Sequence, residues 1–497
     1  MIRTTTKEAS ETFKNILSNA DWAPIIASCN ENDPNQAYNL FAKVIKSSYD
    51  KAFPLKPKRI SRKNTSHQPW MTQGLLNSIK KKEKLYIKYI KNPTPENKNI
   101  FMKYRNNYKV IRTKLEQSYY TNEFIKYNKD VKKTWQVIRK IVKTENKDTW
   151  INEINLNGEL VSDPNIMAEH FNSYFTGLAK ALSDKIPSSK KGFQDYLPPS
   201  SVNSFVLIPT CPQELIAINK TFKSTHSSGM DDMNPYLISP VLEVLVTPLA
   251  EIINCSLKNG IVPDEAKIAK VLPIHKQGIK SEITNYRPIS ILPFFSKLFE
   301  KVMYDRLLLY IKQKNLLYPL QHGFQPGHST SMSLLDIQDK ITMAMDKNEY
   351  SMGIFLDLAK AFDTVDHKIL LAKLEHYGIR GNALNWFKSY FTNRCQKVLC
   401  NGMLSNLLLI EFGVPQGSIL GPLLFLIYIN DLPDSSSILH YILFADDSNV
   451  FLSHASYDQL FQLANNELTS ASDWFKANKL SLNLNKTNYI IFRSSKN

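Results

Sequence analysis

The 497-residue sequence lacks the features of a secreted, zinc-binding or membrane-spanning protein. Its five cysteines are odd in number and show neither C-x-x-C nor Cys/His zinc spacing, which is typical of reduced thiols in an intracellular protein. No run of 18 apolar residues suggests a membrane span, and the polar N-terminus does not resemble a signal peptide. We therefore expect an intracellular protein of the nucleus and cytoplasm that makes no use of a membrane.

A P-loop is also missing. The stretch 225–229 is a small-residue loop before a helix, but it is short and lacks the Gly-Lys-Thr ending that a P-loop requires. What the chain does have is 43% hydrophobic and 11% aromatic residues, a composition typical of a folded protein. Its length allows several subdomains.

Positive charge is concentrated in one block. The formal charge is +17, yet residues 51–147 alone hold 26 Lys/Arg against 6 Asp/Glu. Such a block suits a polyanionic partner, although solvated helix faces would have the same composition. A Pro- and Lys-rich link at 53–63 precedes long helical patterns in which lysines alternate with aromatic residues. Four tyrosines there could stack on bases or pack between helices: Tyr104, Tyr108, Tyr119 and Tyr120.

Two acidic sites follow apolar strand patterns. Residues 440–452 read as a β-hairpin with Asp446 and Asp447 at its turn, and Asp357 ends a second apolar strand. Carboxylates so placed are unfavourable without a cation or basic partner. If the two strands are neighbours, they present hard oxygen ligands for Mg²⁺, as two-metal nucleotidyl transfer requires. A solvated Asp-rich turn is the alternative for the hairpin alone.

Three motifs occur together in a fixed order: residues 355–367 (FLDLAKAFDTVDH), 413–424 (GVPQGSILGPLL) and 444–447 (FADD). They closely resemble blocks A, B and C of reverse transcriptases from non-LTR (LINE-type) retrotransposons. Further matches support this resemblance from about residue 150 onward. The finger blocks of that family are similar to residues 227–229, 285–290 and 321–324, and its block D is similar to residues 482–487. Residues 69–72 with the lysine run that follows them are similar to the linker of jockey-like elements.

The resemblance implies an α+β fold, with the fingers and palm of a right-hand polymerase, an antiparallel palm sheet and a basic α-helical region before them. The expected divisions are an N-terminal helical segment and linker at 1–60, a basic nucleic-acid-binding region at 61–147, a connecting segment at 148–204, fingers at 205–345 and a palm at 346–497. Residues 6–53 read as two amphipathic helices. The thumb and the endonuclease domain of the family are expected to be absent.

The resemblance also implies roles for individual residues. Asp357 and Asp446 would bind two Mg²⁺ ions, with Mn²⁺ as a substitute, while Asp447 stands beside them and the Leu358 carbonyl completes one shell. Lys486 matches a block D lysine proposed to protonate pyrophosphate. The nucleotide would be bound by Lys276, Arg287, Phe362, Gln416 and Gly417. For Lys276 and Lys486 an ordinary surface lysine remains the alternative.

In this reading, Phe362 is the steric gate that excludes a ribose 2′-hydroxyl, and Gly417 lets the backbone approach the nucleotide. Core packing is the alternative for Phe362. Gln325 departs from the family, which often has arginine there, and this puts one template contact in doubt.

The expected activity is that of an RNA-directed DNA polymerase, a nucleotidyltransferase with an RNA template, a DNA primer or target and dNTPs as partners. The alternatives are an inactive remnant that only binds RNA or DNA and, within the same class, a group II intron maturase.

Overall fold

The structure is a computed structural model that describes residues 2–3, 5–57, 68–142, 150–223 and 225–494. The chain divides into two compact units, one of Met1–Lys56 with Thr149–Asn497 and one of Pro57–Asp148. The first 56 residues thus belong to the same unit as residues 149–497. The link predicted at 53–63 lies mostly outside the described residues, and the predicted domain boundaries stay predictions.

Helices and short strands alternate along the chain, giving a mixed fold as expected. The helices are α1 (Lys7–Ser18), α2 (Ala23–Asn30), α3 (Pro34–Ala52), α4 (Gln73–Lys91), α5 (Pro95–Lys126), α6 (Val131–Val142), α7 (Pro164–Ser183), α8 (Pro212–Thr221), α9 (Pro235–Ile238), α10 (Leu242–Asn259), α11 (Phe294–Gln313), α12 (Thr330–Asp346), α13 (His367–His376), α14 (Gly381–Phe391), α15 (Leu420–Ile429) and α16 (Tyr457–Ala477). The strands are β1 (Ile2–Arg3), β2 (Leu55–Lys56), β3 (Ile154–Leu156), β4 (Glu159–Val161), β5 (Ile268–His275), β6 (Tyr286–Ile291), β7 (Tyr350–Leu356), β8 (Cys395–Cys400), β9 (Met403–Leu404), β10 (Leu408–Leu409), β11 (His440–Phe444), β12 (Asp447–His454) and β13 (Asn488–Phe492).

A four-stranded antiparallel sheet carries the acidic residues. Its strand order is β11-β12-β7-β13. β7 is buried along most of its length, as its apolar sequence requires, and lies between β12 and β13. Because β7 and β12 run antiparallel, the end of β7 meets the start of β12 at one edge of the sheet.

A five-stranded sheet lies in the same unit. β5 and β6 form an antiparallel hairpin, β8 runs parallel to β5, and β10 and β9 pair with β8. Strands from the regions predicted as fingers and as palm thus share one sheet. α15 starts beside it, and nine of the ten residues of α15 are buried, as its almost entirely apolar sequence predicts.

The N-terminal region forms three helices and not the two predicted, because α1 ends before Asn19 and α2 is a separate short helix. Phe41 of α3 is fully buried and lies edge-on to Phe295 of α11, with ring centroids 5.0 Å apart. Lys46 donates to the Asp231 carbonyl at 3.0 Å. These helices therefore pack into the core of the first unit.

One segment, Pro235–Asn259, is long and apolar enough to cross a membrane by length and composition, which the sequence argument did not anticipate. In the structure 61% of its most apolar stretch is buried. α10 packs against α2, α3 and α8. Its apolar surface is therefore used in the core of the first unit.

The second unit is helical in its described part. α4 and α5 pack against each other, with Tyr86 of α4 facing Phe101 of α5 at 5.2 Å between ring centroids. The ammonium groups of Lys81 and Lys82 lie 5.5 Å and 5.0 Å from the ring centroids of Tyr104 and Tyr108. These two tyrosines therefore pack within the helix pair, whereas Tyr119 and Tyr120 contact each other.

Candidate active site

The hairpin predicted at residues 440–452 is present, with a two-residue turn. β11 and β12 pair up to Phe444 and Asp447, which leaves Ala445 and Asp446 as the turn. Ala445 has the left-handed φ of 57°, a strained conformation for a residue other than glycine. Ser448 pairs with Leu356 of β7, so the next step of the register sets Asp447 opposite Asp357. The three aspartates therefore meet at one edge of the sheet.

A loop from elsewhere in the chain supports this turn. The side-chain Oε1 of Gln321 accepts the N–H groups of Ala445 at 2.9 Å and of Gly323 at 2.8 Å. The backbone of 320–322 continues the sheet beside Leu443. A Cβ on Gly323 would lie 2.2 Å from the Ala445 nitrogen. Only glycine fits there, and the strained turn is held from outside by residues about 120 positions earlier.

Gln325, where the family often has arginine, belongs to the same support. Its side-chain amide donates to the backbone carbonyl of Gln321. The side chain is thus used to close the 321–325 turn. Sequence comparison alone did not indicate this structural use.

Asp357 is held by the segment that resembles block D. Asn483 donates from Nδ2 to Asp357 Oδ2 at 2.8 Å, and its backbone N–H donates to the Asp357 carbonyl at 2.8 Å. The Lys486 ammonium lies 3.7 Å from the same carboxylate oxygen. Asn483 thus fixes the orientation of the Asp357 carboxylate, a role that the sequence argument missed. Its position five residues before the start of β13, which pairs with β7, is the signal that could have indicated it.

These residues line a cavity of about 620 Å³. Nine of the ten predicted site residues contribute to its wall, namely Asp357, Leu358, Asp446, Asp447, Lys276, Arg287, Phe362, Gln416 and Lys486. Lys276 follows β5 and Arg287 lies on β6, so the β5–β6 hairpin brings basic side chains to the acidic edge of the other sheet. One cavity therefore combines carboxylates and cations from segments up to 210 positions apart.

Gly417, the tenth residue, lies outside the cavity wall. Its φ is 121°, and a Cβ there would lie 2.4 Å from the Ser290 carbonyl oxygen. The Ser290 N–H in turn donates to the Gln416 carbonyl at 2.8 Å. Close packing of this loop on β6 thus explains the glycine, and its predicted approach to a nucleotide stays a prediction.

The charges in the cavity affect one another. Burial raises the pKa of Asp447, and the neighbouring carboxylates Asp446 and Asp357 raise it further. Burial lowers the pKa of the Lys276 ammonium, and the nearby cations Arg287 and Lys486 add to that effect. Each set of like charges is therefore unfavourable by itself, and the opposite charges in the same cavity partly offset both shifts.

Lys360 is a further residue that the sequence argument passed over. It lies in the cavity wall with a left-handed φ of 54°. Its ammonium donates to the carbonyls of Thr284 at 3.3 Å and Tyr286 at 3.0 Å. Lys360 thus ties the turn after β7 to the start of β6, and burial lowers its pKa.

Phe362 is only partly buried and faces the cavity on one side. Its ring stacks on Phe425 of α15 with centroids 4.6 Å apart, and Phe324 lies edge-on at 5.9 Å. The ring is therefore held in place by core packing while one side remains available to a ligand. The predicted role as a steric gate stays a prediction.

Within the described residues, no group of three or more His, Cys, Asp or Glu side chains is arranged as a ready-made metal site. The aspartates would have to be supplemented by other oxygens to complete the shell of an ion. The backbone on either side of Leu358 is hydrogen-bonded to the segment 481–483, through the Asp357 carbonyl and the Ala359 N–H.

Known proteins resemble this chain in the same region. Residues 274–495 match the family model described as reverse transcriptase (RNA-dependent DNA polymerase). A probable RNA-directed DNA polymerase from transposon BS of Drosophila melanogaster is 29% identical over 338 residues, covering 65% of this chain and 36% of the relative. The RNA-directed DNA polymerase from mobile element jockey of Drosophila funebris is 26% identical, with 66% and 36% coverage. The resemblance to non-LTR retrotransposon reverse transcriptases is thus confirmed.

The chain spans about a third of the length of these curated relatives. Among solved structures, telomerase from Candida albicans matches with a TM-score of 0.34 and 14% identity, covering 45% of this chain and 43% of that one. That likeness is too distant to support an argument about this chain.

Gly323→Ala should destabilise the first unit, because the added methyl group would overlap the Ala445 backbone. Overpacking of this kind costs about 1–3 kcal/mol, so we expect a lower urea midpoint of unfolding. Gly177→Ala on α7 is the matched control, since nothing lies within 4 Å of its added methyl. Equal midpoints for the two variants would show that the loop and the turn are not in contact.

Proposed function

We propose that this chain, whose residues 274–495 match the reverse transcriptase family model, is an RNA-directed DNA polymerase of a non-LTR retrotransposon. It adds deoxynucleotides to the 3′-hydroxyl of a DNA primer on an RNA template. The observation that carries the proposal is the meeting of Asp357, Asp446 and Asp447 in one cavity with Lys276 and Arg287. These residues come from four separate segments, and polymerase chemistry needs both charge types.

Mg²⁺ is the proposed cofactor, as two ions. Asp357 and Asp446 would hold them, with Asp447 beside them and the Leu358 carbonyl as a further ligand. These residues fit Mg²⁺ because carboxylate and carbonyl oxygens are the ligands that it prefers. The raised pKa of Asp447, which burial and then the neighbouring negative charges cause, also favours a cation beside it. When bound, the ions supply charge neutralisation and activation of the primer hydroxyl.

The chain's own residues bind and orient the substrate. Lys276 and Arg287 would contact the triphosphate, and the stacked ring of Phe362 would lie beneath the deoxyribose. Lys486, whose ammonium stands 3.7 Å from Asp357 and whose side chain is 46% exposed, would donate a proton to departing pyrophosphate. In this account residues 205–345 serve as fingers and 346–497 as palm.

The second unit is proposed to bind the nucleic acid. Lys80, Lys84 and Lys88 are exposed and spaced four residues apart on α4, so they present one basic stripe to solvent. Such a stripe fits the phosphates of an RNA strand. Because Tyr104 and Tyr108 pack within the helix pair, charge is favoured over base stacking as the means of binding.

Asp446→Asn should abolish primer extension, because it removes a ligand charge with little change of shape. We expect Mg²⁺-dependent extension of a DNA primer on an RNA template to fall by about 10³-fold or more, equivalent to several kcal/mol of lost transition-state stabilisation. Asp346→Asn, an exposed aspartate at the end of α12, is the matched control. Near wild-type extension by Asp446→Asn at saturating Mg²⁺ would refute the site, and a wild-type chain that binds RNA without extending primers would favour the inactive remnant.

Replacing Lys80, Lys84 and Lys88 by Gln should weaken single-stranded RNA binding and flatten its salt dependence. Three fewer phosphate contacts reduce the slope of log affinity against log salt by about 2. A matched triple variant at the exposed Lys7, Lys14 and Lys312 of the first unit should keep the wild-type slope. If both triple variants behaved alike, the RNA contact would not lie on α4.

A further inference from the structure

Asp363 and Gln416 form a pair beside the cavity. The Gln416 Nε2 donates to Asp363 Oδ1 at 2.8 Å and to Oδ2 at 2.9 Å. Gln416 also lines the cavity, whereas Asp363 lies behind it. The two residues come from different motifs, and the sequence argument assigned no role to Asp363.

The chemistry of the pair sets the direction of the amide. An ionised carboxylate can only accept hydrogen bonds, so the Gln416 amide must turn its nitrogen towards Asp363 and its Oε1 away from it. Burial raises the pKa of Asp363 to about 6, while the hydrogen bond from Gln416 opposes this rise. Above pH 7 the carboxylate is therefore ionised, and the amide has one orientation.

The backbone around the pair is fixed on both sides. The N–H groups of Gly413 and Val414 donate to the carbonyls of Val365 at 2.7 Å and Phe362 at 2.8 Å. On the other side Ser290 donates to the Gln416 carbonyl at 2.8 Å. The backbone that carries Gln416 is thus fixed. The Gln416 amide could still rotate, and its hydrogen bonds to Asp363 prevent that rotation.

We propose that Asp363 is a positioning residue that sets Gln416 to present a hydrogen-bond acceptor to the incoming nucleotide, and so favours nucleotides with a 3′-hydroxyl. This inference rests on the proposed function. Gln416 shares the cavity wall with Phe362, the ring assigned to the sugar, and its Nε2 is held by Asp363. Deoxyribose carries one hydrogen-bond donor, its 3′-hydroxyl, while the donors of the base are used in pairing with the template. The acceptor therefore selects for that hydroxyl.

A reciprocal exchange tests the pair. Asp363→Asn and Gln416→Glu each disturb it, because Asn can donate towards Gln and Glu repels Asp. In the double variant the amide at position 363 donates to the carboxylate at position 416. The negative charge is thereby moved to position 416, whose other oxygen is again an acceptor that faces the cavity. The measurement is the ratio of kcat/KM for dTTP and 2′,3′-dideoxythymidine triphosphate at pH 8, with Asp346→Asn as the matched control.

We expect each single variant to lower the dTTP preference about three- to tenfold, the effect of one hydrogen bond, and the double variant to regain it relative to Gln416→Glu. Variants that lose activity with an unchanged preference, or a double variant as unselective as the singles, would overturn the proposal, because a purely structural contact does not act on the sugar. If the wild-type chain extends no primer, the proposed function fails. In that case the equilibrium dissociation constants of the same two nucleotides are measured for the wild type and the variants. A preference for dTTP that each single variant loses and the double variant regains supports the role of Asp363, and an unchanged preference overturns it.

Discussion

Repulsion among three carboxylates is the constraint around which the first unit is built. Antiparallel pairing of β7 with β12 sets Asp357 opposite Asp447, and the two-residue turn adds Asp446. Like charges this close disfavour their own ionisation; burial raises the pKa of Asp447, and the carboxylates of Asp446 and Asp357 raise it further. The arrangement persists because surrounding segments determine it: Gln321 and Gly323 fix the turn, and Asn483 fixes Asp357.

Cations complete the balance of charge in the cavity. Lys276 and Arg287 come from the β5–β6 hairpin, and Lys486 lies beside Asp357. Packing of the surrounding segments holds the carboxylates and the cations near each other. The Lys486–Asp357 contact of 3.7 Å is a partly exposed ion pair, and such a pair contributes little stability. The cavity therefore contains charges of both signs, and the ion pair between them is weak.

Much of this site could be predicted from local sequence patterns. The hairpin at 440–452, the strand ending near Asp357 and the buried helix at 420–429 follow from apolar runs and turn residues, which are properties of short segments. The contacts of Gln321 with Ala445 and of Gln416 with Asp363 could not be predicted in that way, since they join segments 124 and 53 residues apart. Periodicity carries no information about such distant pairs.

The N-terminal region shows the same limit. Its helical pattern was correct in kind, but the third helix and the packing of Phe41 on Phe295 depend on tertiary contacts. The role of Lys360 could not be predicted for another reason. Nothing in the sequence indicates that a lysine at this position has a left-handed φ. Backbone strain at a non-glycine residue becomes visible only in three dimensions.

The central claim is that Asp357 and the neighbouring pair Asp446 and Asp447 bind divalent metal together, and metal-directed cleavage of the chain tests it most directly. Fe²⁺ replaces Mg²⁺ in such sites, and with ascorbate and peroxide it generates hydroxyl radicals that cut the nearest backbone. The account predicts paired cuts near residues 357 and 446, both suppressed by excess Mg²⁺. Cleavage at only one of these positions, or cleavage elsewhere that Mg²⁺ suppresses, would contradict it.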